Sequence, residues 1–214
     1  MPVQNQKQLH PTAEQLIATA LNLLDAKPVD QITVEEVLGL SGVARSSLYH
    51  HFDDFSHLME YALIRQFSNQ TFHAIAELTD MAEGTDSFEK ARAASHQLSH
   101  KIQDTDRRAQ RMLRVVAIAT ADRNERFRSM LGEEQQRITD GYAFVIQLGQ
   151  ERGWINPKLS PLFLATLLQA YTVGRVINDI TNNPISAEEW QSGIDLLQDT
   201  FFLNAELTKA FTEH

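Results

Sequence analysis

Three times along the chain a hydroxyl side chain stands three residues ahead of a Glu or Gln at the head of an apolar run: Thr12 with Gln15, Thr33 with Glu36, and Ser186 with Glu189. That spacing is a capping box, in which the hydroxyl accepts from the third helical amide and the longer side chain reaches back. Two of the boxes also carry a staple pair, Ile32 with Val37 and Ile185 with Trp190. Nearly every apolar run repeats at three to four residues, and no β-branched run alternates long enough for a strand. The expected fold class is therefore all-α.

The starts and breaks divide the chain. A first helix over about 13–27 buries Leu16, Ile17, Ala20, Leu21, Leu23 and Leu24 and ends at Pro28. A short helix over 34–40 closes at Ser41-Gly42, another covers 44–51, and Asp54 caps a long helix that ends near Gly84. Further helices are expected at about 87–104, 106–120, 124–152, 161–182 and 187–207, with breaks at Gly84, the Asp104-Asp106 turn, Asp122, residues 153–157 and Asn183-Pro184. The organisation that results is an amino-terminal helix-turn-helix three-helix domain over 1–55, joined through a long helix to a helical-bundle domain over 56–214.

The segment 161–182 is apolar nearly all the way round. Such a helix is either the centre of a monomeric bundle or is covered on one side by a second copy. In the dimeric reading the interface draws on Leu168 and Tyr171 together with Trp190, Ile194, Leu197, Phe201 and Leu207. The helices between about 106 and 180 are expected to enclose an apolar, ligand-binding cavity whose polar groups are Arg114, Tyr142, Tyr171 and Asn178.

Charge complicates the choice of partner. The chain carries −9 overall, and its first 60 residues set three cations against eight carboxylates, whereas 101–128 holds eight cations and four carboxylates. Arg107, Arg111 and Arg114 share a helical face that pairs with the acidic head, binds an anionic effector or is simply solvated. Cysteine is absent, which excludes disulfides and thiolate metal sites and suits a reducing cytoplasm. The amino terminus is polar, and the apolar run 159–180 is interrupted by Gln169, Arg175 and Asp179, so a soluble, cytoplasmic chain without a membrane span is expected. His96 and His100 lie four apart without an evident third ligand, so no metal is expected. With no phosphate loop, nucleophile elbow or paired-carboxylate motif in view, neither a cofactor nor an enzymatic reaction is expected.

The spacing of Val34, Val37, Leu38, Gly42, Val43, Leu48 and Phe52 fits two short helices crossing steeply about a Gly-containing turn. The second helix then turns Arg45, Ser46, Ser47, Tyr49 and His50 outward, where a recognition helix meets the major groove and its phosphates. The stretch "ITVEEVLGLSGVARSSLYHHFDDFSHL", with its Thr33-Val34 start, Ser41-Gly42-Val43 turn and Leu48-Tyr49-His50-His51-Phe52 close, resembles the amino-terminal domain of the TetR (tetracycline repressor) family. The resemblance covers about the first 60 residues. It implies a homodimeric transcription regulator whose carboxy-terminal domain binds a small molecule and alters the spacing of two DNA-reading heads.

Carried over by position, Thr33 meets phosphate, Arg45, Ser46 and Ser47 reach bases or phosphates, and Tyr49 and His50 touch the backbone or base edges. His51 and Phe52 are structural. Ala44 stands where the family has a capping Ser or Thr, an absence that costs about 1 kcal/mol. Asp53 and Phe55 stand where it often has phosphate-clamping lysines, and the adjacent Asp53 and Asp54 are expected to act as a negative collar against random DNA. The partners implied are a double-stranded, palindromic DNA operator, a small-molecule effector and a second copy of the chain, with repression by occupancy. The rival reading, supported by the acidic head, is a protein of similar build that has lost DNA recognition and binds a partner protein as a co-regulator.

Overall fold

A computed structural model of the chain describes residues 9–204 and 206. In chain order the helices are α1 (Pro11–Ala26), α2 (Val34–Ser41), α3 (Arg45–His51), α4 (Phe55–Gly84), α5 (Phe88–Gln103), α6 (Arg108–Arg123), α7 (Glu125–Glu151), α8 (Pro161–Gly174), α9 (Val176–Ile180) and α10 (Ala187–Leu197). Single 3₁₀ turns precede α2 and α6, and a π-helical turn (Gln198–Phe202) follows α10. Among the described residues there is no strand, only an isolated bridge between Ile155 and Leu203. The chain is all-α.

Two compact units result, one from Met1–Gln70 with Thr120–Glu134, the other from Thr71–Ala119 with Gln135–His214. The division thus falls within α4 and again within α6 and α7, rather than at residue 55. In the first unit the early turns of α4 pack on α1: Leu58, Met59 and Ala62 join Leu16, Ile17, Ala20, Val37, Leu48 and Phe52 in one core. Burying each large aliphatic side chain there stabilises the unit by about 1.5–3 kcal/mol. Around that core Arg65 pairs with Glu14, its Nη2 donating to Oε1 at 3.1 Å, and Gln66 donates to Asp25 at 3.0 Å.

Several expected boundaries move, each for a local reason. The first helix begins at Pro11, not after Thr12: proline presets the helical φ at the first position, and the His10 ring accepts from the Thr12 amide at 3.2 Å. Thr33 and Ser186 do cap, accepting from the Glu36 and Glu189 amides at 3.3 and 3.0 Å. The break foreseen at Asp122 falls at Asn124, whose Oδ1 accepts from the Phe127 amide at 3.0 Å. The expected helix over 161–182 is interrupted at Arg175 and ends at Ile180. The expected helix over 187–207 widens into the π turn after Leu197 and stops where Leu203 pairs with Ile155; Leu207 lies outside the described residues.

No helix of the described residues is long and apolar enough to cross a membrane.

Candidate nucleic-acid interface and ligand cavity

The turn between α2 and α3 depends on Gly42, which sits at φ 66°, a left-handed conformation that an L side chain would strain. Gln15 on α1 fixes the same turn by donating to the Ser41 carbonyl at 2.7 Å, and the Ser41 hydroxyl accepts from the Val43 amide at 3.3 Å. Leu48 is fully buried beneath α3, which orients the rest of that helix: Arg45, Ser46, Tyr49 and His50 are exposed and Ser47 is half-buried. Thr33 is exposed at the start of α2. Ala44 contributes no side-chain cap to α3.

Arg45 does not stand bare. Its Nη2 donates to Glu35 Oε1 at 2.5 Å, and the Glu35 carboxyl is held below its ordinary range, first by its backbone hydrogen bond and then by Arg45. Both side chains are more than half exposed, so the pair is weak and open to exchange. Lys27 is likewise paired, with Glu36. Behind α3, His51 stacks on His10 with ring centroids 4.9 Å apart and meets His50 edge-on at 5.0 Å. Burial, and then the like charge of His10 and His50, hold His51 below the usual imidazole range.

The acidic corner after α3 is largely occupied from within. Arg126, in the first turn of α7, donates to both Asp54 oxygens at 3.1 and 3.2 Å and to both Glu60 oxygens at 3.0 and 2.8 Å. Asp54 also caps α4 by accepting from the His57 amide at 2.7 Å. Asp53 stays exposed, 3.6 Å from Arg126 and 3.3 Å from the His57 ring. The two aspartates expected to form a negative collar are both exposed, and both lie within ion-pair reach of Arg126, Asp54 the more closely. Nothing in the spacing of the sequence announced Arg126, which lies 72 residues from Asp54.

In the second unit, Leu78, Leu98, Val145, Leu164, Leu168 and Phe202, among others, line a cavity of about 110 Å³. Its polar lining is neutral: Ser95, Ser99, Tyr142, Tyr171 and Gln198. The Ser95 hydroxyl donates to Gln198 Oε1 at 2.8 Å, and the Ser99 hydroxyl lies beside the Tyr171 phenol without a well-formed hydrogen bond. Burial pushes Tyr171 up to about 12 and raises Tyr142 as well, against the pull of the nearby Arg114. Gly149 leaves room for Ile155 here: a Cβ at that position would come within 2.6 Å of Ile155 Cδ1 on the cavity wall, so that side chain would have to shift.

Of the four ligand residues expected, Tyr142 and Tyr171 line the cavity, and Arg114 and Asn178 do not. Arg114 donates to the Thr71 hydroxyl, and burial lowers its pKa. Asn178 is taken up by Ile185, accepting from its amide at 2.9 Å and donating to its carbonyl at 3.2 Å. The basic face divides too: Arg111 forms a buried pair with Asp179 at 2.7 and 2.9 Å. His96 and His100 face Asp199 and Asp195 at 3.1 and 2.9 Å, with Arg92 completing the ladder between α5 and the end of α10. No group of the described residues has the arrangement of a metal site.

The expected interface residues also separate by face. Leu168 and Tyr171 turn to the cavity, Ile194 is buried, Leu197 is half-buried and Trp190 lies under Arg175. Phe201 is partly exposed. On α8, α9 and α10 the large apolar groups that reach the surface are Leu162, Phe163, Ile177, Ile180 and Leu196, the last 64% exposed, and Val116 and Ile118 on α6 are exposed as well.

No family model matches the chain, and no curated protein sequence matches it. Solved structures do. A TetR-family transcriptional regulator from Mesorhizobium loti is similar over 94% of this chain and 96% of its own, with a TM-score of 0.63 and 20% identity. The reduced form of Escherichia coli NemR is similar over 90% and 97%, with a TM-score of 0.61 and 18% identity. A transcriptional regulator from Saccharomonospora viridis in complex with choline gives a TM-score of 0.60 at 14% identity, over 89% and 97%. At these identities the likeness establishes the fold.

Proposed function

We propose that this chain, built on the fold of TetR-family regulators, is a ligand-responsive homodimeric transcription regulator that represses by occupying a palindromic DNA operator. The observation that carries the reading is the outer face of α3, where Arg45, Ser46, Tyr49 and His50 stand exposed over a fully buried Leu48. A helix with such a polar edge fits the major groove, which admits one helix. In this reading Arg45 and Ser47 contact base edges, Ser46 and His50 flank them, and Tyr49 and Thr33, with the amides that open α2, bind phosphate. The chain carries out no reaction of its own and works in the cytoplasm.

The effector, in this reading, enters the cavity between α5, α7, α8 and the π turn. A neutral lining of hydroxyls and one amide, among aliphatic and aromatic walls, suits an uncharged, largely apolar molecule with one or two hydrogen-bonding groups. The volume is near that of engineered cavities that hold a single aromatic ring. The second copy covers the exposed apolar residues of α8, α9 and α10, which would otherwise face water.

One observation favours the rival, a partner-binding co-regulator: the recognition helix has a single arginine, and Glu35 already holds it. A mobility-shift titration against DNA from upstream of the chain's own coding sequence separates the two. The regulator gives a discrete, sequence-dependent shift that Arg45→Ala abolishes. A head that binds no upstream fragment, with or without its dimer, leaves the co-regulator.

A further inference from the structure

Two arginines of the second unit are almost equally buried and differently served. Arg111 on α6 has the Asp179 carboxylate across one edge, at 2.7 and 2.9 Å, and its Nη1 donates to the Asp104 carbonyl at 2.8 Å. Arg175, at the break between α8 and α9, is 4% exposed, yet its Nε and Nη1 have no hydrogen-bond partner in the protein. Its guanidinium lies 4.9 Å from the centroid of the Trp190 ring, and the Trp190 Nε1–H, buried as well, also lacks an acceptor. Both oxygens of Asp179 are engaged by Arg111, and neither takes a hydrogen bond from Arg175 Nε or Nη1. Burial, and then repulsion from Arg111, hold Arg175 below the ordinary arginine pKa. A buried cation with bare donors is costly unless a counter-charge and acceptors reach it.

We propose that Arg175 and Trp190 form a binding site for a small carboxylate. Charge selects that class. The buried side chains of Arg111, Asp179 and Arg175 sum to a single positive charge, and the exposed Asp104 carboxylate also acts on Arg175, so the site suits a monoanion better than a phosphate dianion. A carboxylate accepts from guanidinium donors in charge-assisted bonds, and its second oxygen can take the indole N–H. The indole face gives the anion's organic part an apolar wall. Residues 181–189, which lead to Trp190, are exposed throughout, so the chain on the approach to Trp190 faces solvent. The site is separate from the neutral cavity: Arg175 lies one helical turn beyond Tyr171 and is not in the cavity lining.

The chain has two tryptophans, Trp154 and Trp190, so a Trp154→Phe background isolates the reporter. Titrating that full-length protein with sodium acetate and sodium benzoate at fixed ionic strength, against sodium chloride, should give a saturable change in Trp190 emission with the carboxylates alone. Arg175→Gln should weaken the response at least tenfold, and Arg175→Lys, which keeps the charge and loses the fork, should fall between. Should Arg175→Gln fail to fold by circular dichroism, the contrast of carboxylate with chloride in the unsubstituted site still decides. A flat response, or one that chloride reproduces, overturns the proposal. So does a dimer structure in which a carboxylate of the second copy occupies Arg175, and none of these outcomes depends on whether the head binds DNA.

Discussion

The Arg126 guanidinium lies 3.1 Å from Asp54 and, with its other donors, also holds Glu60, so much of the acidity after α3 is neutralised within the protein. Replacing Arg126 with Ala leaves Glu60, which is buried, with the Asn124 amide at 2.8 Å but no counter-charge. Since Arg126 is a third exposed, the loss should be smaller than for a fully buried pair, about 1–2 kcal/mol. Urea unfolding of the variant checks this. The same variant restores a two-aspartate collar, so its affinity for random DNA should fall.

Acid should loosen the head in two stages. His51 is held below its ordinary value of 6.5 by burial and by His10 and His50. The unfolded chain therefore takes up that proton first, and the stability this group contributes, fully present above 6.5, is lost as pH falls through the lower folded value. Glu14 and Asp54, lowered chiefly by hydrogen bonds from Arg65 and Arg126, contribute stability above their ordinary 4.5 and 3.8 that is lost as pH falls further. Thermal melts across pH 7 to 3 should show both stages, and His51→Gln should flatten the first alone.

Leu196→Glu and Leu168→Glu separate surface from interior. The first puts a charge on the exposed apolar face and should give a folded monomer by light scattering. The second puts a carboxylate into the cavity wall and should destabilise the fold by more than about 3 kcal/mol. If Leu196→Glu remains a normal dimer, the second copy docks elsewhere.

Gly149→Ala tests the cavity wall. The added methyl must push Ile155 inward, an overpacking cost of about 1–3 kcal/mol, offset by about 1 kcal/mol of helix propensity. A small fall in melting temperature, with a larger fall in affinity for an uncharged aromatic probe such as indole, is expected from paired melting and calorimetric titrations.

Two of the three expected caps were legible because capping boxes and glycine act within a few residues of themselves: Thr33, Ser186 and Gly42 do what their neighbours in the sequence require, whereas the Thr12 box gave way to His10 ahead of Pro11. The turn of α3 was legible for the same reason, since Leu48 and Phe52 fix which side chains face out. Pairings across long separations were not. Arg126 with Asp54, His100 with Asp195 and Arg111 with Asp179 are each set by the packing of whole helices. The apolar helix 161–174 hid its faces for a different reason: Leu164 and Leu168 inward, Leu162 and Phe163 outward, are chemically alike. Only the burial of each face distinguishes cavity from surface.

Whether α3 reads DNA is tested most directly by anisotropy titrations of labelled upstream fragments at several salt concentrations. A DNA-reading α3 predicts saturable binding that Arg45→Ala and Tyr49→Ala abolish and that Glu35→Gln, by freeing Arg45, extends to random sequence. It also predicts a shallow salt dependence, since each neutralised phosphate adds about 0.9 to the logarithmic slope and this face offers few cations. Wild-type protein that binds no fragment at any salt concentration, or binds one with an affinity indifferent to all three substitutions, contradicts it.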